Sequence, residues 1–339
     1  MPAMNIGIIG YGYWGPNLLR NFASRNECAV KMVCDLRQER LSEVKKNYPL
    51  VCVVSAPDDL LNDELIDAVC IATPAYTHYQ FARKALKNGK HVLVEKPMTS
   101  TVAEAEALIS LALRKKRVLM VDHTFLYTGA VKAIKQIVEC GTIGKIKYFD
   151  STRINLGLFQ PDINVLWDLA PHDLSILNHL VRESPVSLNA TGISHHHTGL
   201  ENIAYLTLNY KSNFIAHFNC SWTSPVKIRK ILIGGSNQMI LFDDVEPTEK
   251  VKVYDTTYDI RPRTDETKRQ LLVDYRVGDI FIPKLEKTEA LAGVAEDFVK
   301  AVTRGEKPLS DMYDGLKVVK ILEAANKSIR NKGKEVKLR

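Results

Sequence analysis

Short, largely apolar runs alternate with stretches of helical spacing through the first third of the chain. Residues 5–9, 30–34, 68–72, 91–94 and 118–121 are such runs, and 51–54 is a further candidate. Between them, 18–23 reads as a helix. Phe81, Ala82, Ala85 and Leu86 recur at helical spacing, with Asn88 and Gly89 behind them as a C-cap. Thr101 followed by Glu104 predicts a capping box in front of a helix over 105–113. Continuous apolar strands separated by helices predict a parallel sheet covered on both faces, a doubly wound Rossmann arrangement.

Beyond residue 124 the pattern changes. Helical stretches over 131–139 and 171–180 give way to consecutive strand signals at 145–154, 186–193, 203–210, 228–233, 239–242 and 251–254. Phe214, Ala216, Phe218 and Cys220 alternate with His217, Asn219 and Ser221, the period of a strand with one exposed face. Helices return over 289–302 and 313–328. The prediction is an α/β chain of two domains: a Rossmann domain over 1–123, then an α/β domain over 124–339 with an open, mostly antiparallel sheet. A length of 339 residues exceeds one typical core and agrees with two.

Composition changes this picture little. Charged residues make up 25%, and no apolar run is long enough to span a bilayer. The chain enters its first strand without a basic segment and apolar core ahead of it, which reads as no secretory signal. None of the six cysteines forms a CxxC pair, as suits reduced thiols in a cytoplasm. The net charge of +7 is scattered; residues 114–117 end a helical pattern and 327–339 read as a solvated tail. Neither a nucleic-acid nor a membrane partner is expected.

Gly10, Gly12 and Gly15 form a GxGxxG that follows a strand and opens a helix. Gly10 permits the tight turn, Gly12 lets backbone approach a pyrophosphate, and Gly15 lets helix and strand pack closely. The helix N-terminus then offers free N–H groups to the phosphates. Asp35 ends the second strand 20 residues after Gly15 and suits the adenosine ribose hydroxyls, favouring NAD over NADP. Arg37, two residues on, can accept a 2′-phosphate. Tyr13 and Trp14 lie within the glycine loop; Trp14 reads either as a cofactor shield or as simple packing.

In a doubly wound sheet, ligands sit beyond the carboxyl ends of the strands. Glu95 and Lys96 follow one strand end, with Pro97 behind them. Lys96 reads as a donor to a substrate oxygen or as a surface lysine. Thr73 and Pro74 end another strand, near an expected ribose or nicotinamide. His78 faces the cofactor or caps and packs. Tyr127 follows the last Rossmann strand and can line a cleft. His195, His196 and His197 read as a polar loop or strand end rather than a metal site, and no metal is expected.

Four stretches carry a resemblance to the glucose–fructose oxidoreductase, inositol dehydrogenase and rhizopine catabolism family, Gfo/Idh/MocA. They are the glycine loop, the run from Val69 through Thr73-Pro74 to His78, Gly89-Lys-His-Val-Leu-Val-Glu95-Lys96-Pro97, and Asp168-Leu-Ala-Pro-His172. Ala170 stands where the family's last pattern has glycine. The resemblance implies cofactor contacts from Gly10, Gly12, Tyr13, Trp14, Gly15, Asp35, Thr73, Pro74, His78, Glu95 and Lys96. It also implies Lys96, Asp168 and His172 as catalytic residues, an active site between the domains, and a dimer or tetramer. Asp168 alone suits a helix cap, and His172 alone a structural histidine; four residues apart at a helix start, both can face one side.

A narrower likeness lies in Arg153 and Asn155, the run from Asp162 to Ser175, and Ser221 to Arg229. It resembles a branch acting at C3 of UDP-linked N-acetyl amino sugars. Arg153, Lys227 and Arg229 then suit a diphosphate, or are solvated strand positions. The expected activity is hydride transfer between NAD and a sugar, nucleotide-linked in one reading and a free sugar or inositol-type polyol in another. A non-catalytic NAD sensor is the alternative from another class.

Overall fold

The computed structural model describes residues 4–157, 159–195, 199–255, 257–261, 272–276 and 278–338. The chain divides into two compact units. The first comprises Met1–Thr128, Pro161–Ile163 and Thr288–Glu323; the second comprises Gly129–Gln160, Asn164–Lys287 and Ala324–Arg339.

The first unit is a Rossmann sheet. Its strands are β1 (Met4–Ile9), β2 (Cys28–Cys34), β3 (Cys52–Val54), β4 (Ala68–Ile71), β5 (His91–Glu95) and β6 (Leu119–Asp122). They lie parallel in the order β3-β2-β1-β4-β5-β6. Helices α1 (Gly15–Ala23), α2 (Gln38–Asn47), α3 (Pro57–Asn62), α4 (Ala75–Lys87) and α5 (Val102–Lys115) connect them. β4 is buried along its whole length, as its unbroken apolar sequence requires. The order reverses beside β1, so β1 and β4 diverge at the switch point where such sheets bind ligands.

The predicted caps are in place. The Thr101 hydroxyl accepts from the Glu104 N–H at 3.2 Å, and Glu104 accepts from the Thr101 N–H at 3.2 Å. Gly89 adopts φ +76 at the end of α4. After β6 the chain makes a short 3₁₀ turn, Thr124–Tyr127.

The second unit holds α6 (Gly129–Glu139), β7 (Tyr148–Leu156), α7 (Val165–Leu180), β8 (Ser187–Ile193), β9 (Ile203–Asn209), β10 (Ile215–Ser221), β11 (Thr223–Gly234), β12 (Met239–Asp243) and β13 (Val251–Tyr254). β14 (Thr257–Arg261) and β15 (Leu272–Arg276) form a hairpin of their own, and β16 (Ile280–Phe281) follows. The main sheet runs β16-β13-β12-β11-β7-β10-β9-β8-β17; only β7 and β10 among these neighbours pair in parallel. Helix α7 packs on β7, β9 and β10. Buried side chains along β9 and β10 alternate with more exposed ones, as the period of two predicts.

The C-terminal part departs from the sequence reading in three places. Helix α8 (Ala290–Arg304) packs on α1 of the Rossmann unit, with Phe22 and Phe298 edge to face at 6.2 Å. The stretch read as a solvated tail is partly ordered: α9 (Met312–Arg330) takes its first residues, and β17 (Val336–Lys337) pairs with β8. Ser328 is fully buried there, its hydroxyl donating to the Lys334 carbonyl at 2.7 Å. Helix α7 begins at Val165, six residues before the predicted 171. Asn164 accepts from the Trp167 N–H at 3.2 Å and starts the helix ahead of Pro171, which forgoes one hydrogen bond inside it. Among the described residues, no helix is long and apolar enough to cross a membrane.

Candidate active site

The glycine loop has the geometry its pattern predicts. Gly10 takes φ +96, and a Cβ there would fall 2.4 Å from the Ala72 carbonyl oxygen. A Cβ on Gly15 would fall 2.2 Å from the Gly10 carbonyl oxygen, so only glycine lets α1 start this close to the turn. Gly12 is open: the nearest atom to its added Cβ is a guanidinium nitrogen of Arg37 at 3.8 Å. No side chain caps the start of α1, and no acidic residue lies in its first turn. That leaves N–H groups and a positive dipole end facing an open backbone, a good fit for a pyrophosphate. Tyr13 is 83% exposed and stands edge-on to half-buried Trp14 at 5.5 Å; neither is core packing.

Asp35 is buried at the end of β2. Its carboxylate accepts the Tyr11 N–H at 2.7 Å, the Arg37 N–H at 2.9 Å, and the Arg37 guanidinium at 3.0 and 3.2 Å. Burial acts against the charge, but the bonds from Arg37 and Tyr11 outweigh it and hold the carboxyl below its ordinary range. Asp35 is thus a fixed anion beside the loop, with Arg37 laid across it.

Thr73 and Pro74 lead from β4 into α4. The Thr73 hydroxyl bonds that of Thr77 at 2.6 Å, and Thr77 donates to the Pro74 carbonyl at 2.7 Å. His78 is buried. Its Nε2 lies 2.8 Å from the Thr73 carbonyl oxygen and its Nδ1 lies 2.7 Å from that of Pro97. Burial pushes its pKa down, so the ring is neutral and donates to one carbonyl at a time. His78 therefore ties the end of β4 to the segment after β5, the packing alternative of the two readings. Lys96 follows β5, half-buried, with a cis peptide to Pro97. The Glu95 side chain is buried beside Asp122, its register partner on β6. His123 is buried beside them; burial and then the Lys96 charge push its pKa down to about 4.

In the second unit, Asp168 and His172 lie one turn apart near the start of α7, both half-buried. The Trp222 indole N–H donates to the Asp168 carboxylate at 3.0 Å. Trp222 is itself 1% exposed, and a Cβ on Gly157 would come within 2.6 Å of its ring. The pairing of β11 with β7 then shifts register between Thr223 and Ile228. Asn155 is half-buried on β7.

Arg153 is not a solvated strand position. It is 3% exposed on the helix-facing side of β7, and its Nε and Nη2 donate to Asp173 of α7 at 3.0 and 2.6 Å. Arg229 pairs with Asp244 at 3.2 Å, whereas Lys227 is exposed. Tyr127 is a buried packing residue whose hydroxyl donates to Asp297 at 2.6 Å, a bond that turns it to a carboxylate of its own unit. His195 bonds Asn202 through its N–H at 2.8 Å; His196 and His197 lie outside the described residues.

Sequence reasoning did not single out Asp122, and it gave no role to Asp173 or Trp222 within the stretches it compared. Asp122 carries a visible signal, an acid directly after an apolar run, as at Asp35 and Glu95. Asp173 and Trp222 gain their partners only through tertiary packing.

The model of the GFO/IDH/MocA oxidoreductase family, NAD-binding Rossmann fold, matches residues 4–123, and that of the GFO/IDH/MocA C-terminal domain matches 131–241. The chain is 34% identical to the uncharacterized oxidoreductase YdgJ of Escherichia coli over 50% of its length and 51% of that protein. It is 28% identical to UDP-N-acetylglucosamine 3-dehydrogenase of Acidithiobacillus ferrooxidans, over 93% of this chain and 94% of that one. A solved structure of that enzyme superposes with a TM-score of 0.80, at 25% identity over 98% of this chain and 99% of the other. Myo-inositol 2-dehydrogenase of Thermotoga maritima is 25% identical over 99% and 98%.

Proposed function

Because the chain belongs to the Gfo/Idh/MocA family of oxidoreductases, we propose that it is an NAD-dependent dehydrogenase of a UDP-linked amino sugar, with Lys96, Asp168 and His172 as its catalytic side chains. The observation that carries the reading is the likeness to UDP-N-acetylglucosamine 3-dehydrogenase, which runs through both units. The open Gly12 backbone and the anionic Asp35 suit a dinucleotide whose ribose is not phosphorylated. The nicotinamide, when bound, accepts or supplies the hydride.

The chain's own residues hold and move the proton. In the oxidative direction His172 takes the hydroxyl proton, and Lys96 donates a hydrogen bond to the same oxygen as charge develops on it. Asp168, held by the Trp222 indole, orients the imidazole or a sugar hydroxyl. The buried Arg153–Asp173 pair leaves little of Arg153 for a diphosphate, so exposed Lys227 is the better cation for that part of the substrate. The full-length similarity to myo-inositol 2-dehydrogenase supports a second reading, a free polyol as substrate.

Nicotinamide absorbance on adding UDP-N-acetyl amino sugars, free sugars and inositols to the protein with NAD separates these readings. Turnover with the UDP-sugars alone is expected; turnover with polyols alone transfers the assignment to them, and tight NAD binding without any turnover overturns both. Lys96→Ala and His172→Ala are expected to lower kcat by about 100-fold or more with NAD affinity retained. Normal turnover in both variants removes them from the catalytic set.

A further inference from the structure

Two carboxyl groups lie side by side at neighbouring strand ends inside the Rossmann unit. Glu95 ends β5 and Asp122 ends β6, and the two residues are directly paired in the parallel register. Glu95 is 7% exposed and Asp122 is 1% exposed. The pairing sets the two buried carboxyls side by side at neighbouring strand ends, where each acts on the titration of the other. The Thr124 hydroxyl donates to Asp122 Oδ1 at 2.7 Å, whereas Glu95 Oε1 and Asp122 Oδ2 receive no N–H and no hydroxyl among the described residues. Two adjacent buried carboxyls with unpaired oxygens cannot both ionise without like-charge repulsion in a poorly solvated site, and a proton on one removes that repulsion and supplies the donor that neither carboxylate has.

We propose that Glu95 and Asp122 hold one proton between them and so place a single negative charge beside Lys96, acting as positioning residues for that lysine. Thr124 stabilises the charged form of Asp122, so the proton sits on Glu95. Burial pushes Glu95 well above the ordinary carboxyl range, and the neighbouring Asp122 charge adds to this. Burial raises Asp122 only to about 6, because the Thr124 and Glu95 bonds and the Lys96 charge oppose it. Burial keeps three neighbouring groups neutral: it raises Cys70 from β4 and Tyr127, whose hydroxyl is turned to Asp297, and it lowers His123. His78 on α4 is neutral as well. Lys96 is the cation that both carboxyls feel.

The charge count has a consequence for turnover. The wild-type pair carries one negative charge, and so does each single amide variant, Glu95→Gln or Asp122→Asn, because the remaining carboxyl then ionises. The amide also donates the hydrogen bond that the protonated carboxyl gave. Only the double variant removes the charge next to Lys96. Independent carboxylates would instead lose one charge at each step.

The test uses the full chain with NAD and UDP-N-acetylglucosamine. The infrared spectrum at neutral pH is expected to contain a protonated-carboxyl C=O band that disappears in both single variants. A spectrum in which no such band is lost overturns the proposal. Each single variant is expected to lower kcat/KM by less than about threefold and the double variant by about thirtyfold or more, a strong departure from additivity. A double effect equal to the product of the single ones overturns the shared proton. If the double variant does not fold, the infrared band decides. The inference about positioning rests on Lys96 being catalytic, as proposed above. Full activity in Lys96→Ala would remove that premise, while the infrared band reports on the carboxyl pair alone.

Discussion

Replacing Asp173 by alanine tests the strongest electrostatic claim of the second unit. Arg153 and Asp173 are 4% and 2% exposed at their side chains and meet at 2.6 Å. The carboxylate also accepts the Ser151 hydroxyl at 2.7 Å. Asp173→Ala therefore removes the principal counter-charge of a buried guanidinium and the acceptor of a buried hydroxyl together. Such a loss costs about 3–5 kcal/mol, a large part of an ordinary domain's stability. Replacing both partners by apolar residues, Arg153→Met with Asp173→Leu, leaves no charge to strand and is expected to cost far less, or nothing.

Urea unfolding followed by tryptophan fluorescence reads the effect where it arises, because Trp167 and Trp222 both lie in this unit. With a slope of about 2–3 kcal/mol per molar urea, the single variant's midpoint is expected to fall by about 1–2 M. The pair also pins α7 to β7, so the single variant should lose activity as well if Asp168 and His172 act as proposed. A single variant within about 1 kcal/mol of wild type, or a double variant as costly as the single, refutes this account of the pair.

Asp35→Ala is expected to weaken NAD binding and to free the Arg37 guanidinium, moving the preference toward NADP; fluorescence titration with both cofactors measures it, and an unchanged ratio refutes the ribose role. Glu289 tests a pH dependence. Bonds from Arg20 and then Asn21 hold its carboxyl down to about 2, well below the ordinary glutamate range. A depressed folded-state pKa stabilises above the unfolded value and is lost as pH falls. The thermal midpoint of Glu289→Gln should therefore lie below wild type at neutral pH, and the gap should close as pH falls from 4.5 toward 2. A gap that stays constant with pH refutes it.

The parallel sheet was legible because strands covered on both faces must be apolar throughout, and few other elements read that way. The antiparallel strands were legible through alternation, as at Phe214 to Cys220. What escaped were features whose cause lies far off in sequence. β17 is two residues long, too short for any period, and exists because β8 presents an edge. The start of α7 was hidden because Pro171 is a stronger signal than the Asn164 cap ahead of it.

Arg153 shows the same limit with chemical consequence. Its position on β7, in step with buried Phe149 and Ser151, belongs to the core face by period alone. Its charge argued for a diphosphate or for solvent, because Asp173, twenty residues on, could not be seen to neutralise it. Glu95 and Asp122 likewise end apolar runs that are buried on both faces up to their last residue. Where an ionisable residue occupies a position that periodicity assigns to the core, the burial cost requires a partner or a proton. Arg153 meets it with a carboxylate, and Glu95 with a proton, and both stand next to proposed catalytic residues. The conflict between period and charge is therefore itself a signal: read without coordinates, it points to the residues that hold the candidate site in shape.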